Sequence, residues 1–299
     1  MNVVGVGQCA WDYLTISNNY PEENSKQELK SWDEQGGGPV ATALVALARL
    51  DVKCRFYGIT GDDDAGNKIR DSLVHQGIDV SSLRVREGSF SQSAFIIIGE
   101  KDGKRTIFWR RPTGNELTQK ELGEDFLTGS CFLLLDGLMK DVSFFAAQTA
   151  KRLNIPVMLD AGRLREGMIE LARNCDYIVG SEKFAVDLGW RDNRDEFKNT
   201  LKNLGLGHTT ITLGERGSFT FLKDEIIHVP AFNVKTVDTT GAGDVFHGGY
   251  IYGILKGWPI KKTLLFASAM AALKCLKIGG RAGIPSLEEV SLFLAKHKM

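Results

Sequence analysis

Short apolar runs of the kind that fill buried strands alternate along this chain with longer stretches whose apolar residues recur at helical spacing. Val3 to Gly7 reads as strand, Ala41 to Leu50 as helix, Cys54 to Tyr57 as strand and Ala65 to His75 as helix. Strands follow at Cys131 to Leu135, Val157 to Leu159, Tyr177 to Val179 and Thr209 to Leu213, with a helix at Ser143 to Leu153. Strands that are apolar throughout are covered on both faces. The pattern therefore predicts an α/β fold, a doubly wound and mainly parallel sheet. Two stretches break the rhythm: Asp12 to Asp33, and Ser91 to Arg110, which reads as a hairpin turning at Asp102-Gly103. Strands from about 12–33 and 90–111, with no crossover helix after them, predict a small separate β-sheet. It is either a lid over a site or a plain surface hairpin. No repeat, low-complexity tract or linker divides the chain, so 1–299 reads as one domain.

Composition narrows the ligand. Hydrophobic residues make up 43% and charged residues 25%, and 37 basic residues balance 37 acidic ones. That balance points away from nucleic acid and membrane surfaces, leaving a small molecule as the expected partner. The five cysteines are scattered and never form a Cys-x-x-Cys pair, as reduced thiols in a cytoplasmic protein would be. The chain opens on a strand-like run rather than a signal peptide, and no apolar run reaches transmembrane length, which also predicts a cytoplasmic location.

Candidate chemistry gathers at glycines. Gly5-Val-Gly7-Gln-Cys-Ala10 matches a dinucleotide pattern, but the aromatic and β-branched residues after it read as strand, whereas a dinucleotide site needs a helix there. Asp12 is then expected at the carboxyl end of the first strand, as a turn residue or a ligand contact. Gly36-Gly37-Gly38 precedes an alanine-rich buried helix carrying Thr42 one turn in; the glycines either make the turn or let a ligand approach backbone N–H groups. In Thr239-Thr240-Gly241-Ala242-Gly243-Asp244 the small residues allow successive N–H groups to face one concavity at a helix start, an anion hole. Asp244 caps such a helix, or takes a proton from a hydroxyl attacking a phosphoryl group held in the hole. A carboxylate close to the hydroxyl needs no raised pKa for that task.

Asp238-Thr-Thr-Gly-Ala-Gly-Asp-Val-Phe246 resembles the C-terminal signature of the ribokinase-like (PfkB) carbohydrate kinases. Gly36-Gly37-Gly38-Pro39 with its helix, followed by Gly58-Ile-Thr-Gly61-Asp62-Asp63-Asp64-Ala-Gly66, is similar to that family's N-terminal signature. With Thr212-Leu-Gly214-Glu-Arg-Gly217 and the Asp160 segment, the resemblance runs from Val3 to about Pro285. It implies a ribokinase-like fold and an ATP-dependent kinase acting on a sugar-like alcohol, with Mg2+ on the phosphates and a requirement for K+ left open. By position it implies Asp244 as base, Gly241, Ala242 and Gly243 as anion hole, Asp12, Gly37, Gly38 and Thr42 on the sugar, and Thr212, Gly214 and Gly217 along the nucleotide. Lys277-Ile-Gly-Gly-Arg-Ala-Gly283 is similar to the loop near the adenine and monovalent-cation site.

The chain also departs from the family. Many members carry Asn-x-x-Glu where this one has Ser181-Glu182-Lys183-Phe184, which leaves Glu182 as the candidate for orienting water on the metal. Thr42 stands where many have Asn, and Gly-Gly-Gly-Pro-x-Ala-Thr resembles the ketohexokinase-like and sulfofructose kinase-like branch. Arg110 and Arg111, after Trp109, either form a solvated face or clasp a phosphate or sulfonate on the substrate; Arg163 either joins them or pairs with a carboxylate. The leading expectation is a kinase of a ketose or its phosphorylated or sulfonated derivative. The alternatives are a nucleoside kinase using Phe90, Phe95, Phe108 and Trp109 around a base, and a sugar-sensing protein. Free lid edges also suit a homodimer formed through the lid strands.

Overall fold

The computed structural model describes residues 1–297. In chain order its strands are β1 (Asn2–Val6), β2 (Ala10–Ser17), β3 (Asp33–Gly37), β4 (Lys53–Gly61), β5 (Ile78–Asp79), β6 (Leu83–Arg86), β7 (Ser93–Gly99), β8 (Arg105–Arg110), β9 (Phe132–Leu135), β10 (Val157–Ala161), β11 (Tyr177–Ser181), β12 (Thr209–Thr212), β13 (Ser218–Phe221) and β14 (Ile226–Val229). Ten of them form one sheet in the order β14-β13-β12-β11-β10-β9-β1-β4-β5, with β6 also paired to β4. From β12 to β5 the neighbours run parallel, and β13 and β14 close one edge antiparallel.

The helices are α1 (Pro39–Ala48), α2 (Asp64–His75), α3 (Gln119–Leu122), α4 (Lys140–Arg152), α5 (Met168–Ala172), α6 (Glu182–Asp187), α7 (Arg194–Asn203), α8 (Ala242–Leu255), α9 (Ile260–Lys274) and α10 (Leu287–Lys296). Side chains alternate across β1: Val3 enters a core with α1, α8 and α9, while Val4 and Val6 enter one with α4 and α6. The sheet is therefore buried on both faces, as its apolar strands predict. Glycines set the depth of α8. A Cβ on Gly248 would lie 2.7 Å from Ala46 Cβ, and one on Gly249 would lie 2.9 Å from Ala267 Cα, so α8 is wedged between α1 and α9.

The four remaining strands form a separate sheet in the order β3-β2-β7-β8. β3 and β8 are antiparallel to their neighbours, and the central pair β2 and β7 is parallel. Register assigns its faces. Asp12 pairs with Ala94, which pairs with Trp109, so these three share a face with Leu14, Ile96 and Ile98, which pack against Ile278. The sheet is thus a lid with its apolar face turned to the main body.

Two expectations need correction. Asp12 lies inside lid strand β2, not at the end of the first strand. Gly36 and Gly37 belong to lid strand β3, and only Gly38, with φ of 91°, makes the turn into α1. Between β2 and β3, residues 18–32 contain no strand, in keeping with their polar residues and Pro21. Among the described residues no helix is long and apolar enough to cross a membrane, and all five cysteines are free.

Candidate active site

Helix α8 begins with Gly241 at its N-cap in the left-handed region, φ 72°, where a Cβ would lie 2.7 Å from Gly280 Cα. Only glycine at 241 lets these two loops touch backbone to backbone. Asp238 ties them together. Its Oδ1 accepts from the N–H and Oγ1 of Thr240, each at 2.8 Å, and its Oδ2 accepts from Gly279 N–H at 2.6 Å. The N–H of Ala242 closes a turn onto the Thr239 carbonyl at 3.2 Å. Ala242 is therefore not a free donor. Among the described residues the N–H groups of Gly241, Gly243 and Asp244 have no protein acceptor, and a Cβ on Gly243 would meet nothing within 4 Å. Unpaired donors at a helix start, facing open space, are what an anion hole requires.

Asp244 stands beside them on the first turn. Burial, and then the charge of Asp160 at the end of β10, push its carboxyl up to about 7, opposed by His247 and Arg105. Burial likewise raises Asp160. His247, one helical turn beyond Gly243, fixes this group. Its Nδ1 is 2.6 Å from the Gly243 carbonyl, and its Nε2 is 3.1 Å from the Val179 carbonyl and 3.5 Å from Asp160 Oδ1. Burial also raises Asp136, which follows β9, to about 7. Asp136 and Asp160 both lie at the carboxyl edge of the main sheet, where open α/β sheets bind ligands.

On the lid Asp12 is buried, and its carboxyl is pushed up to about 6 by burial, with Arg281 opposing and Asp238 adding. Gly37 makes room for it: a Cβ there would lie 2.1 Å from Asp12 Oδ2. Arg281 itself is buried and bridges three elements, β3, α1 and α2. It donates to the Gly37 carbonyl at 2.8 Å, to Ser72 Oγ at 3.1 Å and to Thr42 Oγ1 at 3.4 Å, while its N–H donates to Gln35 Oε1 at 2.9 Å. Burial lowers its guanidinium to about 10. Thr42, expected on the sugar, thus also serves as an acceptor for Arg281. Gly38 backs onto Cys9, whose Cα a Cβ would approach to 2.5 Å.

The expected cations separate cleanly. Arg163 is held by Asp187 of α6 at 3.1 Å, and Arg110 leans over Phe90 with Asp63 at 4.0 Å. Arg111 stacks on Trp109, the aromatic on the site face of the lid, and no carboxylate pairs with it among the described residues. Arg105, two alternations back on the same face, donates to Thr239 Oγ1 at 2.7 Å, while Thr239 N–H and Oγ1 both reach the Gly103 carbonyl at 3.3 Å. The tip of the lid hairpin is therefore latched to the loop that precedes the anion hole.

Thr212, expected along the nucleotide, ends β12 and donates to the Gly180 carbonyl at 3.2 Å. Gly214, φ 59°, has open space where a Cβ would stand, whereas on Gly217, φ 86°, a Cβ would lie 2.1 Å from the Val229 carbonyl. Gly214 is thus free to face a ligand, and Gly217 is fixed by the neighbouring strand. Phe184 is buried in the core and Glu182 is hydrogen-bonded to Arg216. Among the described residues no group of three or more His, Cys, Asp or Glu could cage a metal ion.

Sequence reasoning missed Arg281, His247 and Arg105. Nothing in the local pattern marks the first two. Arg105 was within reach, because the alternation applied to residues 110 and 111 continues back through 109 and 107 to 105.

Comparison with known proteins decides what this arrangement belongs to. The model of the pfkB family of carbohydrate kinases matches residues 2–287. The chain belongs to that family. It is an ATP-dependent phosphotransferase with a ribokinase-like fold. A relative from Halopiger xanaduensis named ATP-dependent ribose-1-phosphate kinase is 25% identical, with 99% of each chain covered. The crystal structure of ribokinase from Thermotoga maritima matches with a TM-score of 0.81 at 26% identity, covering 98% of this chain and 99% of that one. Arabidopsis thaliana ribokinase, solved with ribose and ATP, matches with a TM-score of 0.82 at 22% identity, covering 98% of each chain.

Proposed function

We propose that the kinase transfers the γ-phosphoryl group of ATP to a hydroxyl of a ketose-like sugar that carries a phosphate or sulfonate. One observation carries the anionic part of this reading: of the three expected cations, Arg111 alone has no carboxylate partner among the described residues, and it stacks on Trp109, which shares a lid face with Asp12. Its planar fork suits a phosphate or sulfonate, and Trp109 beneath it offers an apolar face to a sugar ring. The relative named ribose-1-phosphate kinase bears the name of an enzyme for an anionic sugar. The ketose part rests on the Gly-Gly-Gly-Pro-x-Ala-Thr sequence and Thr42.

In this reading Asp12 accepts from two sugar hydroxyls and orients the ring, while Gly37 leaves it room. Asp244 takes the proton of the attacking hydroxyl. The N–H groups of Gly241, Gly243 and Asp244 stabilise the charge that develops on the phosphoryl oxygens, and Arg105 brings a lid cation to the same place. Thr212 and Gly214 lie along the nucleotide. The carboxylates present fit a Mg2+ carried on the phosphates and water, which would neutralise phosphate charge; Glu182 meets it only through water and after release from Arg216. The family match over residues 2–287 supports one domain, and five free cysteines suit a cytoplasmic enzyme.

The outer face of the lid supports a homodimer. Tyr13 stacks on Phe95 at 5.1 Å beside Trp32, with Phe95 53% and Phe108 60% exposed. Phe95→Glu should leave a monomer by light scattering if two lids meet there.

The functional reading is tested by ADP release over free ketoses, ribose, sugar phosphates, sulfosugars and nucleosides. A sugar phosphate or sulfosugar is expected to give the highest kcat/KM, and Arg111→Ala to lower it for anionic substrates only. Equal loss with neutral sugars would sink the oxyanion reading, and a nucleoside at the head of the panel would replace the sugar one.

A further inference from the structure

Under the anion hole lies a lysine that the chemistry above does not use. Lys274, the last residue of α9, is wholly buried; its Nζ donates to the Asp238 carbonyl at 2.8 Å and stands 4.0 Å from Asp238 Oδ2. It makes no other hydrogen bond among the described residues, although an ammonium offers three donors. An apolar residue could fill this position without the cost of burying a charge. The side chain's use is therefore its charge.

What that charge holds is the loop itself. The Asp238 side chain is also wholly buried, and it joins the residue before the anion hole, Thr240, to Gly279 across the Gly241 and Gly280 contact. A buried carboxylate needs a compensating cation, and Lys274 is the side chain that pairs with this one. Burial lowers the lysine's pKa, with Asp238 opposing; Cys275, Arg105 and Asp244 are the other groups that bear on it.

We infer that Lys274 is a built-in cation that sets the anion-hole loop, so that this kinase needs no monovalent metal ion there. The family resemblance leaves room for K+ beside this loop, but the donors do not fit one. Both Asp238 carboxylate oxygens already accept from N–H or O–H groups, its carbonyl accepts from Lys274, and a second cation would meet a fixed like charge. Lys274 touches no substrate and is a positioning residue. The inference rests on the reading of Gly241 to Asp244 as anion hole and base.

The test has two arms, run at constant ionic strength with the best substrate of the panel. Wild-type turnover should be the same in choline chloride as in KCl, and a rise of about tenfold or more with K+ would overturn the inference. Lys274→Ala in choline should lose about a hundredfold in kcat, in the range of a lost anion-hole donor, while keeping its KM for sugar. Methylammonium, ammonium or K+ should then restore about tenfold or more, a recovery that a merely structural lysine would not show. A folded Lys274→Ala with wild-type turnover in choline, or one that no small cation restores, would contradict it. Should that variant fail to fold, the K+ titration of the wild-type enzyme decides alone. Asp244→Asn keeps the two readings apart: full activity in it removes the kinase assignment, whereas an inactive Asp244→Asn beside a K+-activated wild type removes only the built-in cation.

Discussion

Replacing Gly37 by Ala should damage sugar binding while sparing the nucleotide. The new Cβ would stand 2.1 Å from Asp12 Oδ2, whereas ordinary contact begins near 3.4 Å, so the carboxylate has to move from its place. It has little room to do so, because Asp12 is only 6% exposed. Gly37 has no positive φ, so the backbone itself tolerates alanine. What is lost is the aim of one carboxylate. A hydrogen bond to a charged group contributes about 1.5–3 kcal/mol, which corresponds to about a 10- to 150-fold loss in kcat/KM for sugar. ADP release measured against varied sugar at saturating ATP, and then the reverse, separates the two sides. A folded Gly37→Ala enzyme with unchanged sugar kinetics, or one whose KM rises for ATP instead, would remove Asp12 and β3 from the sugar pocket.

Four further outcomes follow. The base has to be ionised, and its carboxyl is raised to about 7, so kcat/KM should fall about tenfold per pH unit below that value and level off above it. Asp160→Asn should move this limb to lower pH, and a limb near pH 4 in the wild type would contradict the placement of Asp244. The same upward shift means that stability from this proton is present below pH 3.8 and lost as the pH rises to about 7, a loss that urea titrations of Asp244→Asn should lack. Arg105→Ala, which frees the lid tip from Thr239, should lower kcat about tenfold with little change in KM for ATP; unchanged kcat would show that the latch has no part in turnover. Gly241→Ala places a Cβ 2.7 Å from Gly280 Cα at φ 72°, and should cost about 1–3 kcal/mol in urea unfolding together with most of the activity; a change below about 0.5 kcal/mol would show that the two loops are not tightly opposed.

Periodicity carried the main sheet because its strands are apolar on both faces, and the Ser91 to Arg110 hairpin because it alternates around a turn. The other half of the lid was less readable. β2, with Trp11, Tyr13, Thr15 and Ile16, has the composition of a strand, but β3 contains Asp33, Glu34 and two glycines and does not. Partners far along the chain, Ala94 for Asp12 and Arg281 for Gly37, decide what these residues become. Asp244 and its glycines could be read because one short segment holds the entire anion hole. Arg281, His247 and Lys274 could not, since each acquires its role from an oxygen at least 36 positions away, apart from the local Gly243 carbonyl that His247 also meets. Ala242 shows the opposite failure. Its position implied a donor, and only the Thr239 carbonyl reveals that the donor is already used.

The central claim is that Asp244 removes the proton while the N–H groups beside it hold the phosphoryl group. Turnover of Asp244→Asn with the best substrate tests it most directly, because asparagine keeps the size of the side chain and the backbone donors but cannot accept a proton as a carboxylate does. The account predicts a fall in kcat of about a hundredfold to ten-thousandfold with KM for sugar and ATP close to wild type. Near-normal turnover would contradict it.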